Sequence, residues 1–168
     1  PHKGTIVTPI SLKLASQWIF QRMAVETMVL RDFITICTPT DIARVHYSQQ
    51  LLQKIVDQMY HEPERFDINE FLHTDLSMHR VWFEVMDKIP LWENLTRPQA
   101  DYSRFIRLDI VKGRNVPDVM VEHKELIEII ETRNFSAIEP LLKRHLYGGV
   151  RRMGGDLFSE EYQRFFTP

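Results

Sequence analysis

Helical periodicity dominates the chain from about residue 12 onward. Apolar residues recur every three or four positions, as in Val25, Val29 and Phe33, which is typical of a helix with one buried face. The first helix is predicted over Leu12–Ile36. The same period predicts five further helical stretches, at about 41–60, 67–87, 90–113, 117–133 and 136–150. No segment after residue 10 alternates as a strand does, so the pattern predicts an all-α antiparallel bundle with short connections.

Cap and breaker residues mark the predicted helix ends. A proline within residues 38–41 ends the first helix, and Thr40 or Asp41 is expected to cap the second. Ser136 is expected to cap the last helix in a capping box with Glu139. These signals divide the chain into helices of ordinary length.

The two ends of the chain differ from its middle. Residues 1–10 are rich in turn and β formers and predict a short extended stub, whereas residues 11–168 form one domain. We interpret the stub as the tail of an upstream segment. Two glycine pairs, Gly148-Gly149 and Gly154-Gly155, leave open whether the last helix is broken.

Composition excludes several functional classes. With 168 residues, 43% of them hydrophobic and 26% charged, the chain suits one globular domain with a substantial core. The net charge of -2 gives no overall basic bias toward nucleic acid or anionic lipid. There is no membrane-length apolar run, no signal peptide is visible, and Cys37 is a single cysteine. A cytoplasmic location is therefore expected.

The most informative residues are polar side chains on apolar helix stripes. Asp75 and His79 lie four positions apart and share a face with Phe71. His123 and His145 occupy equivalent places on the stripes of two other helices. A buried carboxylate costs several kcal/mol unless it is paired, and a buried imidazole needs hydrogen-bond partners.

One divalent cation would satisfy these four residues together. Imidazole nitrogens and a carboxylate oxygen suit zinc, nickel, iron or manganese. The competing interpretation is a polar core in which each histidine is hydrogen-bonded separately and Asp75 and His79 form an ordinary pair. Periodicity alone does not decide between the two.

Arginines on two helices are candidates for binding an anion. Arg22 and Glu26 lie four apart on the first helix, where a structural ion pair is the simpler interpretation and a cavity-facing Arg22 the functional one. Arg104 and Arg107 flank the apolar face of the fourth stretch. An inward-facing guanidinium there would bind a carboxylate through two parallel hydrogen bonds.

The spacing of the polar residues resembles a known family. The segment Asp75-Leu76-Ser77-Met78-His79, followed by Glu122-His123 and by His145 a further 22 residues on, is similar to the signature of the FCD effector domain. That domain is the C-terminal half of the FadR subfamily of GntR-type transcription regulators. Arg22-x-x-x-Glu26 resembles the arginine and glutamate of the family's first effector-domain helix, and residues 3–7 resemble the end of its winged-helix domain.

The resemblance covers essentially the whole chain and implies a ligand sensor with no catalytic residue. It implies a bundle of six to seven helices, a homodimer, and operator DNA bound by a winged-helix domain that precedes residue 1. The metal would be held by Asp75, His79, His123 and His145, with zinc expected first and nickel, manganese or iron as alternatives. The effector would be a small organic or sugar acid, clamped by Arg104 and with Arg22 beside it.

Two other interpretations use the same four ligands. A histidine–carboxylate site with open positions also supports a metal-dependent hydrolase or a non-haem iron oxygenase. An enzyme needs a general acid or base beside the metal, and Glu26 is more simply paired with Arg22. The third interpretation is a purely structural metal, which requires a closed coordination shell and no cavity.

Overall fold

The chain folds into an α-helical bundle, as predicted. The computed structural model describes residues 7–97, 100–111, 115–154 and 159–167. Within these ranges seven helices have eight residues or more, and two shorter helices follow. The helices are α1 (Leu12–Ile36), α2 (Pro39–His61), α3 (Ile68–Val85), α4 (Ile89–Thr96), α5 (Ala100–Val111), α6 (Val116–Thr132), α7 (Ile138–Leu146), α8 (Gly148–Met153) and α9 (Glu160–Gln163). Single 3-10 turns lie at Pro63–Arg65 and Phe135–Ala137.

The cap of α2 differs from the prediction. Thr38, and not Thr40 or Asp41, is the N-cap, since its hydroxyl accepts from the backbone N–H of Asp41 at 3.3 Å. The Asp41 carboxylate in turn accepts from the backbone N–H of Thr38 at 2.9 Å, which completes a capping box. Pro39 fits the first helical position because no hydrogen bond is required of its nitrogen there.

The predicted capping box of the last helix is wrong. Ser136 lies in the 3-10 turn before α7, where its hydroxyl donates to the Asn134 side chain at 2.8 Å. The N-cap of α7 is Ala137, which has no side-chain acceptor. The 3-10 turn delays the start of the helix and places Pro140 within the first turn, where helices accommodate proline.

The helical path is interrupted between α7 and α8. The break falls at Tyr147, immediately before the first glycine pair. A Cβ atom at Gly149 would lie 2.8 Å from Oδ2 of Asp109 and 3.1 Å from the Phe105 ring, so glycine is needed for the close approach of α8 to α5. In the second pair, Gly154 caps α8 with a φ of 31°, and Gly155 lies outside the described residues.

Packing of the long helices creates a continuous core. Helix α2 lies against α3 and α6, and α1 lies against α5 and α7. Large side chains such as Phe33 and Trp82 are fully buried between these helices. No helix in the described ranges is both long and apolar enough to cross a bilayer.

The segment before α1 is attached to the far end of the chain. Ile10 forms an isolated parallel bridge with Phe166 and is buried among residues of α5 and the C-terminal segment. Its backbone N–H donates to Phe165 at 2.7 Å, and its carbonyl accepts from Thr167 at 2.9 Å. Residues 1–6, where most of the predicted stub falls, lie outside the described residues.

Candidate metal centre and cavity

Four side chains from three helices meet at one point in the bundle. Asp75 and His79 come from α3, His123 from α6 and His145 from α7, and each offers a ligand atom within 4.8 Å of the others. Nε2 of His123 lies 3.4 Å from Nε2 of His79 and 3.3 Å from Oδ1 of Asp75. Adjacent ligand atoms about 2.1 Å from a tetrahedral metal lie about 3.4 Å apart, so these two spacings match a mononuclear site.

Two of the rings are oriented by oxygen atoms behind them. Nδ1 of His79 lies 2.8 Å from Oε2 of Glu26, and Nδ1 of His123 lies 3.1 Å from Oε1 of Gln49. Carboxylate and amide oxygens only accept, so each Nδ1 must carry the proton. A neutral ring protonated at Nδ1 presents the lone pair of Nε2 toward the cluster, which is the tautomer that a metal requires.

The third ring is oriented in the same way. Nδ1 of His145 lies 3.0 Å from Oε2 of Glu122, the residue that precedes His123 on α6. The other carboxylate oxygen of Glu122 lies 3.4 Å from the Arg144 guanidinium. Helix α6 therefore supplies one histidine of the cluster and, from the adjacent position, the acceptor that orients another.

Burial keeps the imidazoles of His79 and His123 neutral. Desolvation lowers the pKa of His79 below its ordinary value and outweighs the opposing effect of Glu26. The pKa of His123 is lowered further, first by burial and then by the positive charges that His145 and His79 would carry if protonated. Neutral rings are the form that coordinates a metal ion.

A buried ion pair supports the cluster from α1. The Arg22 guanidinium donates to Glu26 and, at 3.1 Å, to the hydroxyl of Tyr102. Burial alone would raise the pKa of Glu26, but Arg22 and then His79 lower it to about 2, so the carboxylate stays ionised. The second terminal nitrogen of Arg22 is buried and has no hydrogen-bond partner among the described residues.

The lone pairs of the cluster suit a positive centre. Nε2 of His123 faces Nε2 of His79 at 3.4 Å and Oδ1 of Asp75 at 3.3 Å, and with both rings protonated at Nδ1 neither Nε2 has a proton to share. Such an arrangement is repulsive in a buried setting unless a cation occupies its centre. The donor set of three imidazoles and one carboxylate suits zinc, nickel, iron or manganese.

A cavity of about 310 Å³ adjoins the cluster. Asp75 and His145 belong to both the cluster and the cavity wall, so a metal bound here is reachable from the cavity. Arg22 and Tyr102 line the same wall, and Phe105 contributes an apolar surface. A volume of this size holds a small organic molecule.

Comparison with protein families decides the assignment. The family model described as the FCD domain matches residues 19–148, about three quarters of the chain. The chain belongs to the FCD domain family. FCD domains are the ligand-sensing domains of GntR-family regulators. Comparisons with curated proteins and with solved structures gave no match.

The FCD domain brings five of the six predicted site residues to one place. The four metal-ligand candidates form the cluster, and Arg22 lies beside it in the cavity wall. Arg104 lies elsewhere, among half-buried residues, and donates to the backbone carbonyls of Thr8 and Pro9. Its guanidinium also contacts the Asp101 carboxylate at 3.1 Å, so its hydrogen bonds hold the segment before α1.

Sequence reasoning missed two of the acceptors that orient the histidines of this FCD domain. Gln49 lies four residues after Val45 and three before Leu52, both fully buried, so its position on an apolar stripe was a usable signal. Glu122 likewise precedes Leu126 by four positions. Periodicity shows that such side chains are buried, but the ring that each one meets depends on how the helices pack.

Proposed function

We propose that this FCD domain senses a small organic acid by coordinating it to a divalent metal held by Asp75, His79, His123 and His145. The inward-facing lone pairs of the cluster, next to a cavity, carry this proposal. Zinc is expected first, with nickel, manganese and iron as alternatives. Four protein ligands leave one or two positions of a five- or six-coordinate ion for the acid.

Arg22 is the residue proposed to clamp the carboxylate. Its unpartnered nitrogen is buried in the cavity wall, and the carboxylate of a bound acid would supply the missing acceptor. Glu26 and Tyr102 already fix the guanidinium, so little side-chain freedom is lost on binding. Arg104 was predicted for this role, but its contacts with Thr8 and Pro9 favour Arg22.

Membership of the FCD family supports a proposal for the finer regulatory features. We propose a homodimer that acts in the cytoplasm and binds operator DNA through a winged-helix domain preceding residue 1. Binding of the acid would shift the equilibrium between dimer geometries and so change the spacing of the DNA-binding domains. No residue of the cluster needs to perform a chemical reaction.

Metal content of the purified protein tests the metal site. We expect about one divalent ion per chain by elemental analysis, and a loss of that ion in His123→Ala and His145→Ala. His73→Ala is the matched control, because His73 is an exposed histidine outside the cluster. If no metal is found, and added zinc and nickel leave the melting temperature unchanged, the cluster is only a polar core.

Binding of simple acids tests the sensor. Malate, lactate and D-gluconate are the probes, measured by thermal shift with the zinc-loaded protein. An acid at a hundred times its Kd should add about 2.7 kcal/mol of stability, and EDTA should abolish the effect. Arg22→Lys should weaken binding at least about tenfold because a lysine ammonium lacks the planar guanidinium that Glu26 and Tyr102 hold in place, whereas Arg104→Lys should not. Equal loss in both variants would contradict the proposed clamp.

A further inference from the structure

A second group of polar side chains lies in the wall of the same cavity. Asp109 and Asn115 both line it and are only 4% and 5% exposed, and Arg152 lies beside them. Asp109 follows Tyr102 by seven residues on α5, which places it on the same helix face about 10 Å further along the axis. The group is therefore separate from the end of the cavity where Tyr102 contacts Arg22.

Three buried atoms of this group have no hydrogen-bond partner. Oδ2 of Asp109 accepts from the Arg152 guanidinium at 3.0 Å. Among the described residues, Oδ1 of Asp109, Oδ1 of Asn115 and Nε of Arg152 lack partners. A buried polar atom without a partner costs about 1–3 kcal/mol, so atoms gathered in a cavity wall indicate a missing ligand group.

Asn115 occupies a helix N-cap position, where an asparagine side chain normally forms a capping hydrogen bond. It is the N-cap residue of α6, and an N-cap asparagine usually accepts from a backbone N–H of the first turn. Here the side chain makes no such hydrogen bond, and its oxygen remains available in the cavity wall.

The backbone of α8 is shaped to bring Arg152 to this place. A Cβ at position 149 would lie 2.8 Å from Oδ2 of Asp109, which is too close. Glycine at this position therefore lets α8 pack against Asp109. Arg152, three residues later on the same helix, then reaches both Asp109 and, at 3.3 Å, Asp118. The Asp109–Arg152 pair is thus positioned by the fold at the edge of the cavity.

The chemistry of the free atoms selects hydroxyl groups. Two free acceptors and one free donor match alcohols, which donate and accept at the same oxygen. An ammonium group would be repelled by Arg152, and a carboxylate by Asp109 and by Asp118, the second carboxylate on Arg152, so a neutral group fits better than either ion. Phe105, between Tyr102 and Asp109 on α5, offers an apolar surface for the carbon chain that links the two ends.

We propose that Asp109, Asn115 and Arg152 form a hydroxyl-binding subsite, so that the effector is a polyhydroxy acid rather than a plain mono- or dicarboxylic acid. The inference rests on the proposed function, in which the carboxylate end binds the metal and Arg22. The hydroxyls distant from the carboxylate donate to Asp109 and Asn115, and one of them accepts from Arg152.

The test compares acids of equal length with and without distal hydroxyls. D-gluconate, D-galactonate and D-mannonate are titrated calorimetrically into the zinc-loaded chain, together with 2-hydroxyhexanoate. The last compound keeps the six carbons, the carboxylate and the neighbouring hydroxyl but lacks the others. At least one of the three sugar acids should bind tighter by about tenfold or more, since a polar site rejects an analogue that leaves it unpaired.

Variants of the subsite then test whether these residues cause the preference for sugar acids over 2-hydroxyhexanoate. Asn115→Ala and Asp109→Asn should reduce the preference for the sugar acid to less than about threefold while leaving zinc content and 2-hydroxyhexanoate affinity unchanged. Asn69→Ala is the matched control, because Asn69 lines the cavity but is exposed. An unchanged preference in both folded, zinc-loaded variants overturns the subsite.

The two proposals fail in different ways. Zinc-dependent binding of all four acids with equal affinity overturns the hydroxyl subsite and leaves the metal-bound carboxylate standing. The same holds if only 2-hydroxyhexanoate binds. Absence of zinc-dependent binding for these four acids, and for malate and lactate as well, overturns both proposals.

Discussion

The hydrogen bond that Nδ1 of each histidine makes decides whether Nε2 of the same ring can bind a metal. Glu26 and Glu122 are carboxylates and raise the basicity of the rings they hold, whereas Gln49 is neutral. His123 thus depends on an amide oxygen alone for its tautomer. Its orientation is the one most easily disturbed by a single substitution.

Gln49→Leu should weaken zinc binding about 10- to 100-fold. The substitution keeps the side-chain volume but removes the acceptor of His123, so the proton is free to move to the nitrogen that should bind the metal. Competition with a chromophoric chelator measures the affinity. Gln50→Leu is the control, since Gln50 is the exposed neighbour on the same helix. Equal zinc affinity in the two variants would show that Gln49 does not orient the ring.

Acid should destabilise the metal-free domain through His79 and His123. Their pKa values are lowered in the folded state, mainly by burial, so below about pH 6.5 the unfolded chain binds protons that the folded chain does not. The free energy of unfolding should be level above pH 7.5 and decrease toward pH 5.5, by up to about 1.4 kcal/mol per pH unit for each ring. Glu26, with a pKa of about 2, contributes only at more acidic pH.

Urea unfolding in EDTA across this pH range is the measurement. His123→Gln should show a shallower pH dependence than the parent chain, and exposed His61→Gln should match the parent. A free energy of unfolding that rises toward pH 5.5 would contradict the neutral-ring assignment.

Residue by residue, the four members of the cluster were predictable, and the side chains that orient them were not. Asp75, His79, His123 and His145 interrupt apolar stripes, and helical period is a property of one helix. The pairings of Gln49 with His123 and of Arg104 with Thr8 join distant helices and segments. Such pairings depend on helix rotation and depth, which periodicity does not determine.

At the scale of elements, the start of α2 is defined by one side chain. Thr38→Ala should lower the free energy of unfolding by about 1 kcal/mol, because the capping box with Asp41 is lost. Thr40→Ala is the control, as Thr40 is equally exposed and is not the N-cap. Denaturant unfolding distinguishes them, and equal stability of the two variants would remove Thr38 as the cap.

The ends of the helices were predicted best where the sequence contains strong helix-breaking residues such as proline. The predicted bounds of α1 match Leu12–Ile36, and the expected interruption near Pro98 separates α4 from α5. The prediction was wrong at α7, where Ser136 suggested a cap and a 3-10 turn intervenes. The need for glycine at position 149 could not be predicted either, because it comes from the close packing of Asp109, which lies on another helix.

For the whole molecule, metal binding should couple the helices thermodynamically. The cluster and the acceptors that hold it join α1, α2, α3, α6 and α7. Zinc at a thousand times its Kd should add about 4.1 kcal/mol, which raises the Tm of a domain of this size by roughly 8–16 °C. Differential scanning calorimetry measures the shift. Calcium should produce far less, because it prefers oxygen ligands, and an equal shift with calcium would argue against the imidazole site.

The fastening of the segment before α1 has a mechanical consequence. Thr8 and Pro9 are tied to α5 through Arg104, Ser11 to Asp101 on the same helix at 2.8 Å, and Ile10 to the C-terminal segment. A tension applied on the N-terminal side of Thr8 is therefore resisted by several hydrogen bonds, the first of which is the one from Arg104. The load reaches α5, a wall of the cavity, before it can peel α1 from the bundle.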